Sequence, residues 1–160
     1  MAGHQPLELR VKVRVLAPEP TVKKLMSEAN FIKEAKNFLN EAKLEFNRGA
    51  KEDNKVLMRD ACEKAWNAVV LATNYLVVRR KMPLPKSFRE RKLRLGELEL
   101  MDQEIKKRAL MDRFAARFYN LHEQAFYVGY FDPLEIETEF TKVEEYIKEI
   151  EAIANGKGHG

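Results

Sequence analysis

The stretch LMDRFAARFYNLHEQAFYVGYFDP, residues 110–133, decides how the chain folds. At about 100° per residue, Leu110, Phe114, Phe118, Leu121, Ala125 and Val128 fall within about 80° of arc, the apolar stripe of a core-facing helix. Arg117 sits on one margin of that stripe and His122 on the other. Five residues apart, they flank an apolar surface instead of stacking on one face. After Gly129, Tyr130 to Asp132 form a turn, with Asp132 as the cap and Pro133 at the first position of the next helix.

Working outward, the same periodicity recurs. Thr21 can cap a helix running to about Arg48, where Gly49 supplies the stop, and Leu25, Ala29, Ile32, Leu39 and Phe46 form its inner face. Asp53 is a natural cap for a second helix reaching about Lys81. Within it, Ala61, Ala65, Ala68 and Ala72 make a narrow stripe of small residues that lets another helix approach closely, with Trp66, Val69 and Leu76 beside it. Pro83 and Pro85 break the pattern, and Ser87 can start a short helix in the connector. After Gly96 a long helix is expected to about Tyr127. A last helix should reach about Ile153 with Ile136, Phe140, Val143, Ile147 and Ile150 inside.

Only Leu7–Leu16 alternates with a period of two, so it reads as a strand that ends before Pro18 and Pro20. A lone strand has no sheet to join, so it either pairs with a second subunit or stays an extended arm. The expected architecture is therefore all-α: an antiparallel bundle of four to five helices with a short N-terminal β-strand arm. The arm occupies residues 1–20, the bundle 21–154 and a Gly-rich, flexible tail 155–160.

Composition narrows the function classes. The chain has 160 residues, 45% of them hydrophobic and 34% charged, enough for one core in one domain. Lys, Arg and Glu fill the surface positions, a bias that suits long helices and matches thermophilic proteins. The single cysteine, Cys62, cannot form an intramolecular disulfide, and Met1–Pro20 has no apolar centre of the kind a signal peptide needs, so a reducing, cytoplasmic setting is expected. The longest apolar run, Ala68–Val78, is interrupted by Thr73 and Asn74 and is too short to span a bilayer. His4 and His159 lie near the ends, and no His/Cys cluster has metal-ligand spacing, so neither a metal nor another cofactor is expected. Cys62 reads as a small packed residue beside the alanine stripe.

The net charge of +4 is unevenly spread. Arg79, Arg80, Lys81, Lys86, Arg89, Arg91, Lys92 and Arg94 face a single acid, Glu90, within residues 79–94, whereas the segment after Asp132 is rich in Glu. Such a basic block is either the electrostatic footprint of a nucleic acid or a solvated segment that pairs with the acidic helix of its own fold. Lys106, Lys107, Arg108 and Arg113 would extend it toward Arg117. Tyr119, Phe126, Tyr127 and Tyr130 either stack on unpaired bases or fill a subunit contact and the following turn.

The string Arg117-Phe-Tyr-Asn-Leu-His122, followed by Glu123 to Asp132, resembles the signature of the HEPN superfamily. That signature is an Arg, four to six residues, then a His on the penultimate main helix. The Ala-rich second helix and the aromatics Phe126, Tyr127 and Tyr130 are similar to the archaeal PaREP family within it, over roughly Val22–Ile153. The resemblance implies a homodimer in which the Arg and His of two subunits converge on a cleft, where active members cleave RNA without a metal. Carried over, His122 would be the acid–base residue and Arg117 the phosphate clamp. Active members commonly place Asn or Asp directly after the Arg, where this chain has Phe118. Asn120 projects about 60° from Arg117, on the side away from His122.

The expected function is thus that of a homodimer that binds or cleaves RNA, in a toxin–antitoxin or defence setting. Candidate RNA contacts are Arg79, Arg80, Lys81, Arg89, Arg91, Lys92, Arg94, Arg113, Tyr119 and Asn120. The alternative is a non-catalytic helical module for a protein partner such as an antitoxin.

Overall fold

Small side chains set the central contact of the molecule. In a computed structural model that describes residues 20–156, α1 (Pro20–Lys51) and α2 (Lys55–Arg79) lie antiparallel, joined by a three-residue turn. Ala61, Ala65, Ala68 and Ala72 are fully buried along α2, and they bring neighbouring backbones close. Side chains are described from Asn30 onward, together with Glu28. The expected strand at Leu7–Leu16 lies outside the described residues, as do residues 157–160 of the tail; among the described residues there is no strand.

Three further helices follow α2: α3 (Phe88–Met101), the short α4 (Gln103–Lys107) and α5 (Leu110–Arg117). The chain then continues without a break as a π-helix over Phe118–Val128, and α6 (Pro133–Ala154) closes the fold. The result is a helical bundle in which α2 is the central member, packed against α1, α6 and the π-helix. Ile136, Phe140, Val143, Ile147 and Ile150 are buried, as their spacing predicts. Each fully buried Leu or Ile contributes about 1.5–3 kcal/mol relative to an exposed one.

Several boundaries differ from the sequence expectation, each for a local reason. Gly49 does not stop α1. It lies inside the helix because a Cβ there would come within 2.7 Å of Met58 Cγ, so glycine is the residue that lets the α1 end meet α2. The cap of α2 is Asn54, whose side chain accepts from Leu57 N–H, while Asp53 takes a left-handed conformation with φ of 50°. Ser87 caps α3 as expected, accepting from Glu90 N–H. The long helix expected from Gly96 to Tyr127 is broken twice: Asp102 caps α4, and Ala109, with φ of 51°, starts α5. Gly96 instead lies within α3. Asp132 caps α6 and Pro133 occupies its first turn, as expected.

Candidate functional site

The π-helix replaces the i→i−4 ladder by a wider i→i−5 one, a form rare outside single turns and frequent at functional sites. In an α-helix Arg117 and His122 would diverge by about 140°, and here they still face different helices, Arg117 toward Glu139 and His122 toward Glu63. The wider turn moves the end of the apolar stripe. Leu110, Phe114, Leu121 and Ala125 are fully buried, but Val128, expected to face inward, is 66% exposed.

Two anchors hold the segment out of α-helical register. On one side Arg117, only 5% exposed, donates through Nε to Glu139 Oε2 at 2.5 Å and through Nη2 to Glu139 Oε1 at 3.3 Å. Asn120 Nδ2 donates to the same Oε1 at 2.8 Å. Glu139 is itself 6% exposed, so a buried carboxylate on α6 gathers both residues. A bidentate pair plus an amide satisfies the carboxylate, the condition under which a buried charge pair is tolerated.

On the other side His122 Nδ1 lies 2.7 Å from Glu63 Oε1 of α2, and both side chains are partly exposed. The ring belongs to a column of aromatics. Phe88 stacks on Phe118 with centroids 4.0 Å apart, Phe118 on His122 at 5.1 Å, and His122 on Phe126 at 6.0 Å. Tyr127 meets its edge at 5.4 Å and Trp66 flanks it at 6.2 Å. A carboxylate on Nδ1 fixes ring orientation and leaves Nε2 as the nitrogen available to a ligand. Phe118, the departure from the polar residue of the resembled signature, is the platform under the imidazole.

The far end of the π-helix is secured by Arg59 of α2, which donates to the carbonyls of Phe126 at 2.9 Å and Tyr127 at 3.0 Å. Gly129, with φ of 80°, ends the segment, and a Cβ there would sit 3.3 Å from the Arg59 guanidinium. Gln124 carbonyl accepts from both Gly129 and Tyr130 N–H.

Cys62 lies between the two anchors. Burial, with Glu139 and Glu63 adding to it, pushes its thiol up to about 12, which keeps it neutral and non-nucleophilic. Tyr119 and Asn120 line a cleft of about 530 Å³ with Gln124, Tyr130, Phe131 and Glu139. This cleft is on the Glu139 side of the π-helix, away from His122.

The basic block does not form one surface. Arg80 pairs with Asp102 at 3.0 Å, Arg91 donates to Asn74 Oδ1, Arg94 pairs with Glu97, and Arg113 pairs with Glu149 at 2.6 Å alongside Arg108. Arg79 approaches the Ala154 carbonyl at 3.5 Å. Lys81, Arg89 and Lys92 are exposed and make no ion pair among the described residues, the last two on the outer face of α3. Arg113 therefore does not extend a basic surface toward Arg117: Glu149 and the Tyr146 ring, 5.7 Å away, hold it against α6. No group of three or more His, Cys, Asp or Glu residues could hold a metal ion among the described residues. Among them, too, no helix is long and apolar enough to cross a membrane.

Glu63, Glu139 and Arg59 were not singled out by the sequence reading. Glu139 had a legible signal, since it falls among Ile136, Phe140 and Val143 on the inward face of α6 and needs a buried partner there. Glu63 and Arg59 have none, because their partners come from a segment whose helical period changes.

No curated protein and no solved structure matches the chain. The model of the archaeal PaREP1/PaREP8 family matches residues 30–151, a span that takes in α2, the π-helix with both anchors and nearly all of α6, so the chain belongs to that archaeal family.

Proposed function

We propose that the protein is a HEPN-like homodimer that binds RNA in a cleft between its subunits and cleaves it without a metal, His122 being the acid–base residue. The observation that carries this reading is the His122–Glu63 contact: an imidazole held through Nδ1, stacked on rings, with Nε2 left without a partner among the described residues. Such a ring can take the proton of a ribose 2′-hydroxyl as the oxygen attacks phosphorus, or deliver a proton to the departing 5′-oxygen. Exposed Tyr127 and Val128 beside it, and Tyr119, Tyr130 and Leu134 around the neighbouring cleft, supply apolar surface for a second subunit or for unpaired bases. Arg117, locked on Glu139, serves in this reading to hold the π-helix on α6; acting as a phosphate clamp would require that pair to open.

The test is incubation of the protein with structured RNA in EDTA. Wild type should cleave and His122→Ala should not; equal cleavage by both, or none by either, removes the enzyme. Light scattering should give about twice the 18.7 kDa chain mass.

A second reading, a non-catalytic helical interaction module for a protein partner such as an antitoxin, is favoured by the burial of Arg117. It predicts a dimer or complex without RNA cleavage. RNA binding that weakens steeply with salt would support the first reading, and its absence even at low salt the second.

A further inference from the structure

We infer that the outer face of α3 is a docking groove for an acidic amphipathic helix of a protein partner. A groove of about 550 Å³ runs along α3 where it meets Lys106 of α4 and Met111 of α5. Its apolar lining is aliphatic. Leu93 is half-exposed and Leu100 is 84% exposed, and the two lie seven residues apart, about two helical turns. Gly96 lies between them, so no side chain rises from the middle of the floor, and Met111 Sδ stands 3.2 Å from where its Cβ would be. Met101, also exposed, extends the apolar surface at the end of the helix. The groove is braced, because Met111 N–H donates to the Glu99 carboxylate at 2.9 Å and so ties the start of α5 to α3.

The charge around this floor selects the occupant. Arg89, Lys92 and Lys106 line the groove and have no carboxylate within ion-pair distance among the described residues. The two acids of the lining are engaged, Glu97 with Arg94 and Glu99 with Met111 N–H. Three cations without an ion pair thus stand against one carboxylate, Glu99, that no cation compensates, so the lining is net positive. A helix with Leu or Ile at i, i+3 and i+7 and Glu or Asp on the flanks would bury both leucines and pair the three cations. A second copy bringing its own α3 would oppose cations to cations. The chain's own first twenty residues carry Arg10, Lys12 and Arg14 against Glu8 and Glu19, so they too lack the acidic excess. Bases stack on aromatic faces, and no aromatic ring lines this groove, which disfavours RNA here. The inference is independent of the His122 reading, since it uses none of the same residues.

The experiment measures anisotropy of a labelled synthetic peptide about four turns long, with leucines at i, i+3 and i+7 and glutamates on its flanks. Comparison probes are the same peptide with lysine flanks, a single-stranded RNA, and phosphatidylserine vesicles. The glutamate peptide should bind and the lysine peptide should not. Leu93→Glu combined with Leu100→Glu should weaken binding at least about tenfold, and Lys92→Glu about threefold. All three sites are exposed, and unchanged helical circular dichroism would show that the variants fold. Failure of the glutamate peptide to bind, equal binding by the lysine peptide, indifference to the double substitution in a folded variant, or a preference for RNA or vesicles that the same double substitution abolishes would each overturn the proposal.

Discussion

Arg117 and His122 hold the same kind of partner on two sides of one helical segment, yet their surroundings give them different work. Each meets a carboxylate, Glu139 for the arginine and Glu63 for the histidine, at 2.5 and 2.7 Å. The first pair is sealed by burial and shared with Asn120; the second is partly exposed and stacked among rings that reach the surface. A buried pair is costly to disturb because each charge depends on the other for compensation. A partly exposed one is worth less to stability, since water can reach either partner. Two residues of one helical segment thus differ, one sealed in holding the helix in place and the other partly open to solvent.

The largest effect should come from breaking the sealed side. Arg117→Met leaves the buried Glu139 without its bidentate partner, with Lys142 at 4.0 Å as the remaining cation among the described residues, and should cost about 3 kcal/mol. At this chain length that corresponds to a fall in Tm on the order of 10 °C. Adding Glu139→Leu should restore most of the loss, because the uncompensated charge is then gone. His122→Ala should cost only about 1 kcal/mol, chiefly from lost ring contacts. Thermal melts of these three variants beside the wild type decide the matter: comparable losses for Arg117→Met and His122→Ala would abolish the distinction.

This asymmetry was only partly legible in the sequence. α1, α2 and α6 followed from period, while α4, α5 and the π-helix stand where one long helix was expected after Gly96; the buried faces of α2 and α6 followed from the alanine stripe and from Ile136, Phe140 and Val143. Such patterns work because one helix buries one face, whatever packs on it. The π-helix escapes them, since a projection at a fixed angle assumes the α-helical turn. That is why Val128 was expected inside and is exposed, whereas Asn120, projected near Arg117 and away from His122, does join Arg117 at Glu139. Glycines misled for a related reason: Gly49 and Gly96 mark close approach inside helices, not their ends. The basic block was legible as charge but not as surface, because Asp102, Asn74 and Glu149, which engage Arg80, Arg91 and Arg113, come from other parts of the chain.

Loosening the far end of the π-helix separates the two sides in another way. Arg59→Met removes the donors to the Phe126 and Tyr127 carbonyls and should cost about 1–2 kcal/mol, discounted for partial exposure. Amide hydrogen exchange should rise near Tyr127–Tyr130 while amides next to Arg117 stay protected. Uniform loss of protection across the π-helix would mean that its two ends do not act separately.

Acid and salt should both act on the outer ion pairs. Lys43 holds the Glu144 carboxyl below its usual range. For Glu149, burial is the strongest single influence and raises it, but Arg113 and Arg108 together outweigh burial and leave it lowered. A carboxyl lowered by folding gives stability that is complete above its unfolded value, about 4.3, and lost as pH falls through the folded one. These partly exposed pairs should contribute up to about 1 kcal/mol together, a share that shrinks in high salt. Denaturant titrations at neutral and acidic pH, with and without salt, should show that loss; a salt response as large in Lys43→Met combined with Arg113→Met would assign it elsewhere.

The smallest change in stability should accompany the most informative change at the open side. Glu63→Gln keeps the shape of the side chain and a hydrogen-bonding oxygen near His122 Nδ1, so stability should move by less than about 0.5 kcal/mol. The carboxylate does more for the ring than for the fold: it favours a proton on Nδ1 and so leaves Nε2 as the nitrogen able to accept one. An amide can rotate to present either a donor or an acceptor, and that preference weakens. Nitrogen-15 shifts of the imidazole should therefore move toward a mixture of tautomers in Glu63→Gln, with the melting temperature nearly unchanged. RNA cleavage should fall with the tautomer population and not with stability. An unchanged tautomer would mean that ring stacking alone orients His122, and the likeness between the two carboxylate anchors would then end at their distances.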